Sequence, residues 1–166
     1  MKKRWISLFV ENEIGVLAKI SGLFSSKSYN LNSLTVGETQ DPTISRMTIS
    51  LTSDDQTFEQ SKKQLNRCIE VIKVVDFTNV PIHMKEILFV KVNGCNSEDI
   101  TELFRIAQVY HMTIKDYDNS SVLLECVETE DKNNDMIRLL NRVFRSRIEV
   151  VRGGSVAIEA ISITER

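Results

Sequence analysis

Residues Val10–Val36 read VENEIGVLAKISGLFSSKSYNLNSLTV, and the succession of residue types within this stretch decides the fold. Trp5 to Val10 leads into it as a strand, which the polar run Glu11-Asn12-Glu13 interrupts. Val16 or Leu17, Ile20, Leu23 and Phe24 then recur at the spacing that gathers apolar groups on one face of a helix. Ser25-Ser26-Lys27-Ser28 ends that helix, and Leu31 to Gly37 resumes as a strand. Asn12 is the expected N-cap, its short side-chain carbonyl accepting from the N–H of Ile14 or Gly15.

The chemistry of the stretch lies in the pairing of Asn12 with Gly15 at a helix start. The first N–H groups of a helix have no internal partner and sit at the positive end of its dipole, so they suit a carboxylate. Gly15 has no side chain to hold a ligand away from that backbone. Asn30, after the helix, offers an amide donor and acceptor together, which suits a molecule carrying both an ammonium and a carboxylate. An amino acid is such a molecule. The same three residues also read as a plain cap, a packing glycine and a left-handed turn residue, and spacing alone favours that simpler account.

Outward from this stretch, Glu38 to Thr43 reads as a turn around Asp41-Pro42, and Ile44 to Leu51 as a third strand. A second helix from Gln56 to Arg67 places Phe58, Ser61, Leu65 and Cys68 on one stripe, and Val71 to Phe77 is a β-branched fourth strand. Thr78 to Met84 is the expected linker. The order then repeats: strand Glu86 to Val92, a helix with Ile100, Leu103, Phe104 and Ala107 on one face, and strands Met112 to Tyr117 and Ser121 to Val127 around Asp118-Asn119. A helix carrying Met136, Leu139, Leu140, Val143 and Phe144 and a closing strand Ile148 to Val151 complete it. The class is α+β, two tandem βαββαβ sandwiches over residues 1–77 and 85–166 joined by 78–84. Arg152-Gly153-Gly154-Ser155 reads as a flexible hinge before one more alternating strand, Val156 to Ile163.

ENEIGVLAKISGLFSSKSYNLNSLTV followed by TQDPTISRMTIS resembles the N-terminal part of the regulatory (small) subunits of acetolactate synthase, also called acetohydroxyacid synthase. N-x-x-G-V-L, G-L-F, Y-N-L, S-L-T-V and D-P-T-I-S-R-M-T-I stand in family order, and together they are far more specific than any one alone. The resemblance weakens through the linker and the strand around Lys85 to Val92, and fades after Asn93. It implies an N-terminal ACT domain, a ferredoxin-like module that binds amino acids at an interface between two copies, followed by a C-terminal ferredoxin-like domain.

The resemblance further implies a homodimeric, non-catalytic protein, and the lack of a membrane-length apolar run makes a cytoplasmic or equivalent soluble compartment the expectation. Such a protein activates an acetolactate synthase catalytic (large) subunit and confers feedback inhibition by a branched-chain amino acid, most often valine. Thiamine diphosphate, FAD and magnesium belong to that catalytic partner. The expected effector site comprises Asn12, Ile14, Gly15, Val16, Leu17, Asn30 and Leu31. The carboxylate meets N–H groups around Gly15 and Val16, Asn30 comes from the second copy, and the aliphatic side chain lies against Ile14, Leu17 or Leu31. Arg46 is a candidate contact to the catalytic subunit; a solubilising or strand-pairing arginine is the simpler account. Ser28 stands where family members usually have glycine, which implies a stiffer loop into Asn30, and Ile14 stands where a small residue or proline is commoner, which implies a narrower pocket or an altered effector preference. A free-standing amino-acid sensor acting on another enzyme or a transcription factor is the alternative, and the D-P-T-I-S-R-M-T-I segment argues against it.

Composition fits these readings. A net charge of −2 gives no general attraction to nucleic acid or anionic membranes, and no apolar run approaches the length of a membrane span. Cys68, Cys95 and Cys126 form no C-x-x-C pair, and His83 and His111 stand apart, so neither a disulfide framework nor a metal site is expected. An acylphosphatase-like enzyme of this fold needs a basic loop where Glu11-Asn12-Glu13 is acidic, and a metal chaperone needs paired cysteines there. No phosphate loop, nucleophile elbow or other catalytic constellation is found.

Overall fold

The computed structural model describes residues 1–25 and 31–161. In chain order the elements are β1 (Lys2–Glu11), α1 (Val16–Ser25), β2 (Leu31–Glu38), β3 (Ile44–Ser53), α2 (Asp55–Leu65) and β4 (Val71–Asp76). They are followed by β5 (Ile82–Asn93), α3 (Ser97–Val109), β6 (Thr113–Tyr117), β7 (Ser121–Glu128), α4 (Glu130–Val143) and β8 (Ile148–Glu159). This is βαββαβ twice, with sheets ordered β2-β3-β1-β4 and β6-β7-β5-β8. The chain divides into one unit of Met1–His83 together with the chain from Ser155, and a second of Met84–Gly154.

In the first unit, β1 pairs antiparallel with β3 so that Ile6 faces Ile49 and Leu8 faces Met47. Strand alternation sends these residues, with Val10 and Leu51, to the helix side, where Val16, Ile20, Phe24, Phe58 and Leu65 close the core. The Asp54 side chain caps α2 by accepting from Thr57 N–H at 2.7 Å. Phe58, Ser61 and Leu65 form the buried stripe as expected, whereas Cys68 falls beyond the helix end.

The other face of this sheet is unusual. Ser7, Thr48 and Ser50 alternate with core residues and therefore point away from the helices, yet all three are buried. The last part of β8 covers them. Thr35 Oγ1 donates to Ser155 O at 3.3 Å, Arg46 Nη2 to Ala157 O at 3.1 Å, and Ala160 N–H to Pro81 O at 2.9 Å. Small residues, Ser155 and Ala157, face inward, while Val156 and Ile158 face out and are exposed. The segment beyond the glycines thus groups with the first unit rather than with the 85–166 unit expected from sequence. The expected hinge is instead continuous strand, since β8 runs unbroken through Gly153 and Gly154. The linker is also shorter than 78–84, because His83 and Met84 already lie in β5.

In the second unit, Leu88, Val90, Val92, Val122, Leu124 and Cys126 meet Leu103, Ile106, Ala107, Leu140 and Phe144. Phe104, expected on the core face of α3, is 41% exposed and stacks edge-on against Tyr117 at 5.5 Å, and Ile106 takes its place inside. Val143 likewise turns out of the core. α3 begins with a capping box in which Asn96 and Asp99 satisfy each other's backbone N–H groups.

Candidate functional site

The loop between β1 and α1 carries Asn12, Ile14 and Gly15 of the residues singled out by sequence, and the first turn of α1 carries Val16 and Leu17. Gly15 adopts φ +91°, a conformation costly for any residue with a side chain, and a Cβ there would meet nothing within 4 Å. The glycine is therefore required by the turn rather than by packing, and the turn leaves the space over the helix start open. Val16 buries its side chain in the core, while its N–H belongs to the first turn of α1. Gly15 O accepts from Lys19 N–H at 2.9 Å, and Val16 N–H makes a long contact of 3.4 Å to Glu13 O. The N–H groups of Leu17 and Ala18 precede any carbonyl four residues back within the helix, so this end is polarised positive.

Two apolar side chains frame that end. Ile14 is fully exposed and Leu17 is 46% exposed. Leu31 sits at the start of β2 and packs partly against the same core as Val16, so it is tied to the interior more than the sequence reading expected. Asn30 lies outside the described residues. Lys19 is engaged by Glu70 at 2.5 Å. Their hydrogen bond raises the Lys19 pKa and lowers that of Glu70, so both stay charged and paired.

Asn12 departs from the expected cap. Its side-chain oxygen, which was to accept from Ile14 or Gly15, accepts from Ser45 Oγ at 2.9 Å instead. Its amide donates to Pro42 O at 2.9 Å and to Glu38 Oε1 at 3.2 Å, and its backbone N–H donates to Thr43 O at 2.8 Å. Asn12 thus ties the β1–α1 loop to the hairpin between β2 and β3. The hairpin itself is shaped by Asp41, whose carboxylate accepts from Thr43 Oγ1 at 2.7 Å and Thr43 N–H at 2.9 Å and is thereby held below its ordinary pKa.

Arg46 is neither free nor merely solubilising. Its Nε donates to Ser7 Oγ at 2.8 Å, its Nη2 reaches Ala157 O, and its guanidinium lies 5.2 Å from the Phe9 ring centre. Sequence reasoning also missed a buried ionic group in the second unit. Arg152 Nε and Nη2 clasp both carboxylate oxygens of Glu86 at 3.0 and 2.7 Å, and Asn133 Nδ2 donates to Glu86 Oε2 at 3.1 Å. Glu86 and Asn133 are almost wholly buried. The only local signal was a charge opening the apolar run Ile87 to Val90, which reads equally well as a strand end.

Among the described residues no group of three or more His, Cys, Asp or Glu side chains is placed to hold a metal ion. No helix of the described residues is long and apolar enough to cross a membrane. The three cysteines are free thiols, with Cys95 and Cys126 buried and their pKa values raised chiefly by that burial.

Comparison with known proteins places this geometry in a family. Residues 6–73 match the AHAS small subunit-like ACT domain, and residues 85–161 match the small subunit of acetolactate synthase. The acetolactate synthase small subunit of Aquifex aeolicus is 40% identical over 158 residues, covering 95% of this chain and 81% of that protein. That of Haemophilus influenzae is 36% identical, covering 94% of each. The crystal structure of the small subunit from Thermotoga maritima shares 30% identity with a TM-score of 0.87, covering 98% of this chain and 100% of the other. The two βαββαβ units are accordingly a tandem ferredoxin-like α+β fold, and the chain belongs to the family of acetolactate synthase small subunits.

Proposed function

We propose that this chain is a non-catalytic regulatory subunit that binds the acetolactate synthase catalytic subunit, raises its activity and makes it sensitive to valine. Thiamine diphosphate, FAD and magnesium act on the catalytic partner. The observation that carries the reading is the start of α1: an open, positively polarised helix end at Gly15–Val16, flanked by exposed Ile14 and half-exposed Leu17. The effector carboxylate accepts from backbone N–H groups there, and its aliphatic side chain lies against Ile14 and Leu17. Asn30 completes the site from a second copy, taking the ammonium or the carboxylate.

The need for a second copy has a physical basis. A small-molecule site buries most of its ligand, and this loop on a single chain is open to water. Two exposed apolar side chains beside it are what a covering copy would remove from solvent. Backbone donors read only the carboxylate, so the choice among valine, leucine and isoleucine falls to the shape left by Ile14 and Leu17. Inhibition follows when valine prefers one arrangement of the assembly, because a ligand shifts an equilibrium only by its difference in affinity for the two states.

Acetolactate formation by the matching catalytic subunit, with and without this chain and with each branched-chain amino acid in turn, tests the proposal. Stimulation together with new sensitivity to valine is expected. Neither effect, with both proteins folded, transfers the reading to a free-standing amino-acid sensor acting on another target.

A further inference from the structure

Ser45 and Arg46 are consecutive residues of β3 and project to opposite faces of the first sheet. On one side Ser45 Oγ holds Asn12, the anchor of the β1–α1 loop, at 2.9 Å. On the other, Arg46 binds Ser7 Oγ and the carbonyl of Ala157 in the covering end of β8. That covering segment is part of a paired strand, and its face toward the first sheet is mostly small or polar. Its inward residues are Ser155 and Ala157, its floor is the hydroxyl row Ser7, Thr48 and Ser50, and Ser155 Oγ is buried with no hydrogen-bond partner among the described residues. So little apolar area is buried beneath it that the side-chain bonds from Arg46 and Thr35 weigh heavily in keeping it down.

We propose that Ser45 and Arg46 relay occupancy of the effector loop to the Ser155–Glu159 segment: a filled loop tightens the Asn12–Ser45 bond, steadies this part of β3, and holds the segment on the sheet through Arg46. This rests on the reading that an amino acid binds at the Gly15 loop. Arg46 is a positioning residue in this scheme and touches no effector.

The test is amide hydrogen exchange of the peptide spanning residues 155–161 in the full chain, with L-valine as the probe, alongside calorimetric titration of valine. Valine is expected to slow exchange there by roughly tenfold in the wild type. In Arg46→Ala, exchange is fast and no longer responds to valine, and linkage requires valine affinity to fall by a similar factor. Ser45→Ala, which cuts the relay at Asn12 and leaves Arg46 in place, binds valine more weakly without slowing exchange in the segment, and serves if Arg46→Ala fails to fold. Valine binding with unchanged or faster exchange in the wild type overturns the relay alone, as does an Arg46→Ala or Ser45→Ala protein in which valine still protects the segment fully. Failure of valine, leucine and isoleucine all to bind the wild type overturns the effector reading and the relay with it.

Discussion

Ser45 Oγ donates to Asn12 Oδ1 at 2.9 Å across a sequence separation of 33 residues, and this bond turns a residue that looks like a helix cap into a cross-link between the β1–α1 loop and the start of β3. The cap would have acted within one turn of helix. The observed bond instead makes the position of the β1–α1 loop depend on the β2–β3 hairpin.

Ser45→Ala removes that bond between a buried hydroxyl and the exposed Asn12 side chain. A loss of about 1 kcal/mol in stability is expected from urea unfolding. Valine binding weakens as well, because the loop loses a tether and must be ordered by the ligand. A variant with the stability loss but undiminished valine affinity would separate Asn12 from the site.

Gly15→Ala meets no steric obstacle, since a Cβ there touches nothing within 4 Å, so its whole cost is conformational. The positive φ predicts a loss of about 1–2 kcal/mol, with Gly15→Asn milder because asparagine tolerates such angles better. Paired unfolding curves check this ranking.

Breaking the Glu86–Arg152 pair leaves a charge inside the second unit. Arg152→Met is expected to cost about 3 kcal/mol, toward the low end for buried pairs because Arg152 is a third exposed. Glu86→Leu added to it recovers most of the loss. Thermal unfolding of both single variants and the double variant measures the coupling.

A methyl group on Gly153 would lie 2.5 Å from Ile87 Cγ2. Gly153→Ala therefore forces Ile87 to move and is expected to cost about 1–2 kcal/mol. Adding Ile87→Ala removes the clash, so the double variant is more stable than the sum of the two single changes predicts. Strict additivity in chemical denaturation would show that the close approach is not a constraint.

Acid sensitivity follows from Asp99. The Arg147 hydrogen bond, joined by the Asn96 backbone N–H, lowers its pKa in the folded chain. A carboxylate depressed on folding adds stability that is fully present above its unfolded pKa and is lost as pH falls through the folded value. Stability should therefore decline below about pH 4. Asp99→Asn is expected to be less stable at neutral pH and to show a shallower acid decline, which unfolding across that range would reveal.

Much of the fold was legible because it is written locally. The alternation of Ile6, Leu8 and Val10 and the helical spacing of Val16, Ile20 and Phe24 each reveal a buried face without reference to any other segment. The Gly15 loop was legible for the same reason, as polar residues and a glycine interrupt an apolar strand. Phe104 and Val143 misled because helical spacing marks a broad apolar stripe without showing which edge of it the sheet covers. The glycines at 153 and 154 suggested a hinge, but a strand paired within its sheet absorbs them, and Gly153 is there for the close approach to Ile87.

The sequence by itself determined the order of elements, the apolar faces, the family and the loop at Gly15, because periodicity and motif depend only on near neighbours in the chain. Only the tertiary structure decided that Asn12 binds Ser45, that Arg46 grips the backbone of Ala157, that Glu86 is buried against Arg152, and that the chain from Ser155 belongs with the first unit. A polar side chain has several partners of nearly equal worth available to it. Which one it takes is settled by the residues that packing brings to its side, and those lie from 33 to 111 positions away in the chain.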